Sequence, residues 1–253
     1  MNRLQLLTEE VTSPPAPPTE IESGVIQRSR RAGQAFSLFA PMHYEDGYAY
    51  PLLVWLHGPN DDERQLQRIM PLVSMRNYVA TAPRGTQALP PRGFHWGEID
   101  VSQAEAEHRV FDSIDAACEK FHVAKHRIFL AGLDTAGTLA FQIGLRHPDR
   151  FAGVLSIGGP FPLDRQPLTR LAEARSLPLF IAQGRESERY PVERTCEELR
   201  LFHVAGLIVT LRQYPCGDEL NTQMLCDMDH WMMEIVTGIS SDCGDSPTPG
   251  QLN

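Results

Sequence analysis

The residues with the most chemical content lie in Arg127–Gly144, RIFLAGLDTAGTLAFQIG. A β-branched and apolar run leads into the turn Gly132-Leu133-Asp134-Thr135-Ala136-Gly137, and an amphipathic stretch of helical spacing follows. Strand, sharp turn and helix in that order are the context of a nucleophile elbow, which lifts one side chain above the end of a central strand. The apex here is Asp134, a carboxylate. A carboxylate at that point can attack an electrophile and form an ester, which water activated by a histidine base must then cleave. It can equally do no chemistry and serve as a helix N-cap, accepting from free N–H groups at the positive end of the helix dipole.

Stepping outward, the elements that must position this turn alternate along the chain. Gly24–Arg30 and Gln34–Pro41 alternate apolar and polar residues and read as an antiparallel pair at a sheet edge. Tyr50–Leu56, YPLLVWL, is continuously apolar, as a strand covered on both faces must be. Further strands are expected at Tyr78–Ala82, Phe151–Gly159, Leu179–Gln183 and Leu207–Tyr214. Helices are expected at Asp61–Arg76, Val101–Phe121, Leu163–Arg175, Val192–Ala205 and Leu220–Thr237, with a Pro- and Gly-rich loop over Thr86–Asp100. This alternation implies an α/β fold: one doubly wound, mostly parallel sheet of about eight strands with helices on both faces. Residues 1–22 form a Pro-rich leader, 23–238 a single domain, and 239–253 a Ser-, Pro- and Gly-rich tail. In such sheets the loops converge at the carboxyl ends of the strands, and sites lie there.

Charge and composition exclude several functions. The net charge is −9, from 32 acidic and 23 basic residues, which repels nucleic acid and anionic lipid. No run reaches the roughly 20 apolar residues a membrane helix needs, and the start of the chain does not read as a secretory signal. The cysteines Cys118, Cys196, Cys216, Cys226 and Cys243 are odd in number and scattered, so reduced thiols in a cytoplasmic protein are the simplest reading.

Several motifs together resemble a family. WLHG at Trp55–Gly58, PRG at Pro83–Gly85, FLAGLDTAGTLA at Phe129–Ala140, RHPDRFAGVLSIGG at Arg146–Gly159 and YPCGDEL at Tyr214–Leu220 are similar to the carboxylesterase, lysophospholipase and thioesterase branch of the α/β-hydrolases. The similarity runs from Ala49 to Thr237 in order. It implies a serine at the elbow, an acid in a later G-x-x-D loop, a histidine in a Y-P-x-G-H-E turn, and an oxyanion donor just after HG. This chain departs at each position. Asp134 stands at the serine, Ser187 at the acid and Asp218 at the histidine. The residue after HG is Pro59, which has no N–H; Asn60 could supply one only from a shifted loop, and the N–H of Thr135 remains. Loss of one oxyanion donor alone costs on the order of a hundredfold in rate, and loss of the triad more.

These departures imply a hydrolase-like fold without serine-hydrolase activity, a pseudoenzyme that binds a small ligand or a protein partner in the old crevice. Two alternatives stay open: a hydrolase that uses Asp134 as nucleophile on epoxides, haloalkanes or esters, as the resemblance to other branches of the superfamily implies, and a protein-interaction module. His57, Phe94, His95 and Trp96 are the candidate walls of the pocket. Asp134 and Asp218 are expected to lie together, sharing a proton or a cation, although two carboxylates fall short of the roughly six oxygens calcium takes. Asp61, Asp62 and Glu63 read as helix-start acids on a solvated face, and Cys216 as a buried thiol. No cofactor or metal is implied. The expected partners are a small-molecule ligand or substrate and a second copy of the chain, with no nucleic acid and no membrane insertion.

Overall fold

The computed structural model describes residues 26–31, 34–97, 100–163 and 168–238. The Pro-rich leader and the C-terminal tail lie outside them. Among the described residues, eight strands form one sheet in the order β1-β2-β4-β3-β7-β8-β9-β10. These are β1 (Ile26–Arg31), β2 (Gln34–Phe39), β3 (Tyr50–Leu56), β4 (Val79–Pro83), β7 (Val123–Leu133), β8 (Gly153–Ile157), β9 (Leu179–Gly184) and β10 (Val209–Tyr214). The β1–β2 and β2–β4 pairs are antiparallel. Every pairing from β4 to β10 is parallel. A separate antiparallel hairpin, β5 (Gln87–Ala88) and β6 (Phe94–His95), interrupts the loop expected to be irregular.

The central strands are apolar throughout because both faces are covered. All seven residues of β3 are buried. Leu52, Val54 and Leu56 join the core under α2 (Asp100–Lys120), α3 (Thr135–Arg146) and α5 (Val192–Ala205), while Leu53 and Trp55 join the core under α1 (Leu66–Val73) and α6 (Thr222–Thr237). Burying each such side chain contributes roughly 1.5–3 kcal/mol. Helix ends are set locally. The Asn221 side chain accepts from the Met224 N–H at 2.9 Å, and Gly238 closes α6 at φ 69°. Among the described residues, no helix is long and apolar enough to cross a membrane.

Two helices are shorter than the residue pattern suggests. The stretch expected as Asp61–Arg76 is a 3-10 turn at Glu63–Gln65 followed by α1, which carries Pro71 in its last turn and ends at an extended Ser74. Of the stretch expected as Leu163–Arg175, the described helix is the single turn α4 (Leu171–Ala174). Tighter bonds close it, from Ser176 N–H to Glu173 O and from Leu177 N–H to Ala174 O, and turn the chain toward β9.

The acidic run is not a solvated face. Glu63 is 1% exposed and is clamped by Arg84, whose Nε and Nη2 donate to its two oxygens at 2.7 and 2.6 Å. Asp62 caps the 3-10 turn through the Arg64 N–H, and Asp61 is bound by Arg68 and Gln65. The partner that decides the fate of Glu63 comes from the end of β4, which no local pattern announces.

Candidate functional site

The turn between β7 and α3 is built by close approach. A Cβ on Gly132 would lie 2.1 Å from the Ala136 carbonyl oxygen, so only glycine fits beneath the apex. The apex, Asp134, has φ 57° and ψ −127°, a conformation that L residues rarely adopt. Such strain costs of order 1–3 kcal/mol and persists where the surroundings over-determine it. Here the Asp134 N–H donates to Ile157 O at 2.7 Å, and its carbonyl accepts from Gly137 N–H at 2.7 Å to start α3. The backbone has the shape of a nucleophile elbow. The side chain makes no cap hydrogen bond, which corrects the N-cap expectation. It reaches instead to the guanidinium of Arg189 in a direct ion pair.

Arg189 joins the two aspartates. Its side chain holds Asp134, and its backbone N–H donates to Asp218 Oδ1 at 3.4 Å. The guanidinium pairs with Asp134, and Asp218 meets Arg189 through its backbone. Asp218 is exposed and accepts from the Ser187 hydroxyl at 2.5 Å, and the same hydroxyl accepts from Tyr190 N–H at 2.9 Å. Asp134, Ser187 and Asp218, expected at the triad-equivalent positions, each follow the carboxyl end of a strand and lie at one end of the sheet. They are an acid at the apex, an acid at the base position and a hydroxyl at the acid position, linked through Arg189.

In the loop expected to supply an oxyanion donor, the first N–H is spent on structure and the next residue has none. The Gly58 N–H donates to Gln65 Oε1 at 3.3 Å, and Trp55 Nε1 donates to the same oxygen at 2.7 Å. Pro59 has no N–H. Asn60 is exposed at φ 65°, packed so closely on Gly93 that a Cβ there would lie 2.3 Å from the Asn60 carbonyl carbon. His57 is fully buried. Its Nε2 accepts from Gly85 N–H at 2.8 Å, and its Nδ1 is 2.8 Å from Gly58 O, so the ring is the neutral tautomer protonated on Nδ1. Burial pushes its pKa below the ordinary histidine value. Both nitrogens are committed, and the ring is no proton acceptor for a substrate.

A cavity of about 550 Å³ opens beside the apex. Asp134, Thr135 and Arg189 line it together with Trp96. Of the expected wall residues, Trp96 is therefore present, its Nε1 donating to His57 O at 3.0 Å. His57, Phe94, His95, Pro59 and Asn60 are not among the lining residues. Phe94 lies under the Arg84 guanidinium, 4.7 Å from its ring centre, and pairs with Ala88 in the hairpin, while His95 pairs with Gln87.

The residue pattern missed the rest of the wall. Thr138, Leu139 and Gln142 follow Thr135 at helical spacing on α3, and that spacing was the available signal. Gln103 from α2 and Pro160 from the loop after β8 carry no such mark. Nor does Arg189, one of two arginines in a loop of mixed charge. Cys216 is buried, and burial raises its thiol pKa. Among the described residues, no three His, Cys, Asp or Glu side chains form a metal-holding group.

No protein-family model matches the chain, and no curated protein matches it. Solved structures do. A carboxylesterase from Mesorhizobium loti superposes with a TM-score of 0.68 at 18% identity, covering 82% of this chain and 98% of that one. A ferulic acid esterase gives 0.66 at 16% identity, covering 83% and 98%. FphF, a fluorophosphonate-binding serine hydrolase of Staphylococcus aureus, gives 0.62 at 14% identity, covering 82% and 97%. The class that sheet order, elbow and neighbours define is the α/β-hydrolase fold. At these identities the likeness concerns the fold alone.

Proposed function

We propose that this protein binds a small molecule in the crevice of an α/β-hydrolase fold and lacks the serine-hydrolase mechanism. One observation carries the reading. The apex side chain is a carboxylate neutralised by Arg189, and among the described residues no imidazole touches it. An acyl group in the cavity would meet no hydroxyl at the apex of the elbow and no imidazole at Asp218 to accept a proton. The aspartate-nucleophile route lacks the same base. A cytoplasmic setting accompanies this reading, from the odd number and scattered spacing of the cysteines.

The test is direct. The purified chain is treated with a fluorophosphonate probe and assayed with an activated short-chain ester. No label and no turnover above buffer are expected. Labelling, or turnover that disappears in Asp134→Ala, overturns the proposal. A single-turnover reaction in heavy-oxygen water that places the isotope in Asp134 would establish the aspartate route instead.

A further inference from the structure

The ion pair on the cavity wall joins two groups that are held very differently. The Asp134 side chain is 15% exposed, and the Arg189 side chain is 57% exposed. Asp134 is fixed by its backbone bonds on both sides and by the loop after β8, where a Cβ on Gly159 would lie 2.3 Å from the Asp134 carbonyl oxygen. Arg189 stands in an exposed loop, anchored through its backbone to Asp218. An exposed ion pair contributes little, because solvent screens it and the long side chain must be held still. The guanidinium can therefore swing out while the carboxylate stays. The fixed charge of the cavity is negative and its mobile charge is positive.

The neighbouring groups suit a cation of the same kind. Gln103 is 9% exposed and lines the cavity, and its side chain makes no hydrogen bond among the described residues. Its amide carbonyl and that of Gln142 can each accept from an ammonium or amidinium. Trp96 adds aromatic surface, which favours a nearby cation electrostatically. Leu139 and Pro160 supply apolar wall for an uncharged body. A carboxylate ligand would instead meet the fixed charge of Asp134, and the net charge of −9 repels it at longer range.

We propose that the cavity takes a small organic cation, an amine or amidine on an apolar body, whose charged head replaces the Arg189 guanidinium on Asp134. This rests on the reading of the cavity as a ligand site. Arg189 is then a built-in competitor that covers the carboxylate when the cavity is empty.

Calorimetric titration of the full chain tests this with benzamidine and 2-phenylethylamine as cations, phenylacetate as the anion and benzyl alcohol as the neutral control. The two cations are expected to bind, with the other two at least about tenfold weaker. Arg189→Gln removes the competitor and strengthens cation binding by up to about fivefold. Asp134→Asn weakens it by at least about tenfold. Circular dichroism and thermal melts check that both variants are folded. Binding of phenylacetate or benzyl alcohol as tight as that of the cations, or an Asp134→Asn variant that binds like the parent, overturns the cation assignment and leaves the ligand site standing. If none of the four binds either the parent or Arg189→Gln, the inference and the ligand-site reading fall together. Ester turnover overturns only the claim that the hydrolase mechanism is lost.

Discussion

Two polar regions lie at the carboxyl ends of the strands, and they are built on opposite rules. In the first, around the HG turn, His57 and Glu63 are fully or almost fully buried, and each is held by specific partners from β4 or the residues just after it. In the second, around the elbow, Asp134 and Arg189 stay partly or largely exposed and line a cavity, and Asp218 is exposed next to the Arg189 backbone. On the proposed reading, the difference separates scaffold from ligand site. A buried group whose bonds are all made has nothing left to offer a ligand. A partly exposed pair with a mobile partner has. The histidine that the motif draws attention to is scaffold, and an arginine that no motif marks stands in the site.

The largest expected effect breaks the first region. Glu63→Ala leaves the Arg84 guanidinium, itself 27% exposed, without its bidentate partner. Removing one member of a buried pair costs about 3 kcal/mol or more. An unfolding free energy lowered by that amount in urea titrations is expected. A change under about 1 kcal/mol would place Glu63 with the surface pairs and erase the contrast.

The next prediction asks whether the elbow region lacks only its side chains. The triple variant Asp134→Ser, Ser187→Asp and Asp218→His supplies a nucleophile, an acid and a base at the triad-equivalent positions. It is expected to remain at background on an activated ester, because Gly58 N–H is bound to Gln65 and Pro59 offers none. One absent oxyanion donor lowers the rate on the order of a hundredfold. Enzyme-like initial rates from the triple variant would show that the HG turn is not limiting.

A smaller effect concerns pH and belongs to His57. Its folded pKa is depressed by burial, below the roughly 6.5 of an unfolded chain. The unfolded state therefore binds more protons than the native state as pH falls past about 6.5, and stability is lost in that direction. The slope from this one group cannot exceed about 1.4 kcal/mol per pH unit. In His57→Gln the stability curve from pH 6.5 downward is expected to be flatter than in the parent. Parallel curves would mean that the ring does not resist protonation.

What the residues disclose in advance follows the same division. Tyr50–Leu56 and Val192–Ala205 match the expected strand and helix residue for residue, because continuous apolarity and helical spacing are local signals. The elbow was legible for the same reason, since strand, glycine and helix are adjacent in sequence. Contacts between distant segments were not. Glu63 looked solvated because Arg84 lies 21 residues away. Phe94 and His95 looked like pocket wall because nothing near them signals the pairing with Gln87 and Ala88. Arg189 was indistinguishable from Arg185 until the fold brought one of them to Asp134.

The smallest effect is the most discriminating, because it must be small for the comparison to hold. Arg189→Gln removes the cation from Asp134 but leaves the backbone bond to Asp218 available. With 57% of the side chain exposed, the pair is expected to contribute at most about 1 kcal/mol to folding. That contribution should shrink further as salt shortens the screening length from about 10 Å at 0.1 M toward 3 Å at 1 M. Urea midpoints of parent and variant, measured at both ionic strengths, read this directly. A loss of about 3 kcal/mol that persists in high salt would make Arg189 a structural clamp like Arg84. The guanidinium could not then yield its place to a ligand, because leaving Asp134 would cost more than a small cation returns. A loss within the surface range leaves the carboxylate fixed by its own turn and the arginine free to move, which is the asymmetry that makes the elbow region a site.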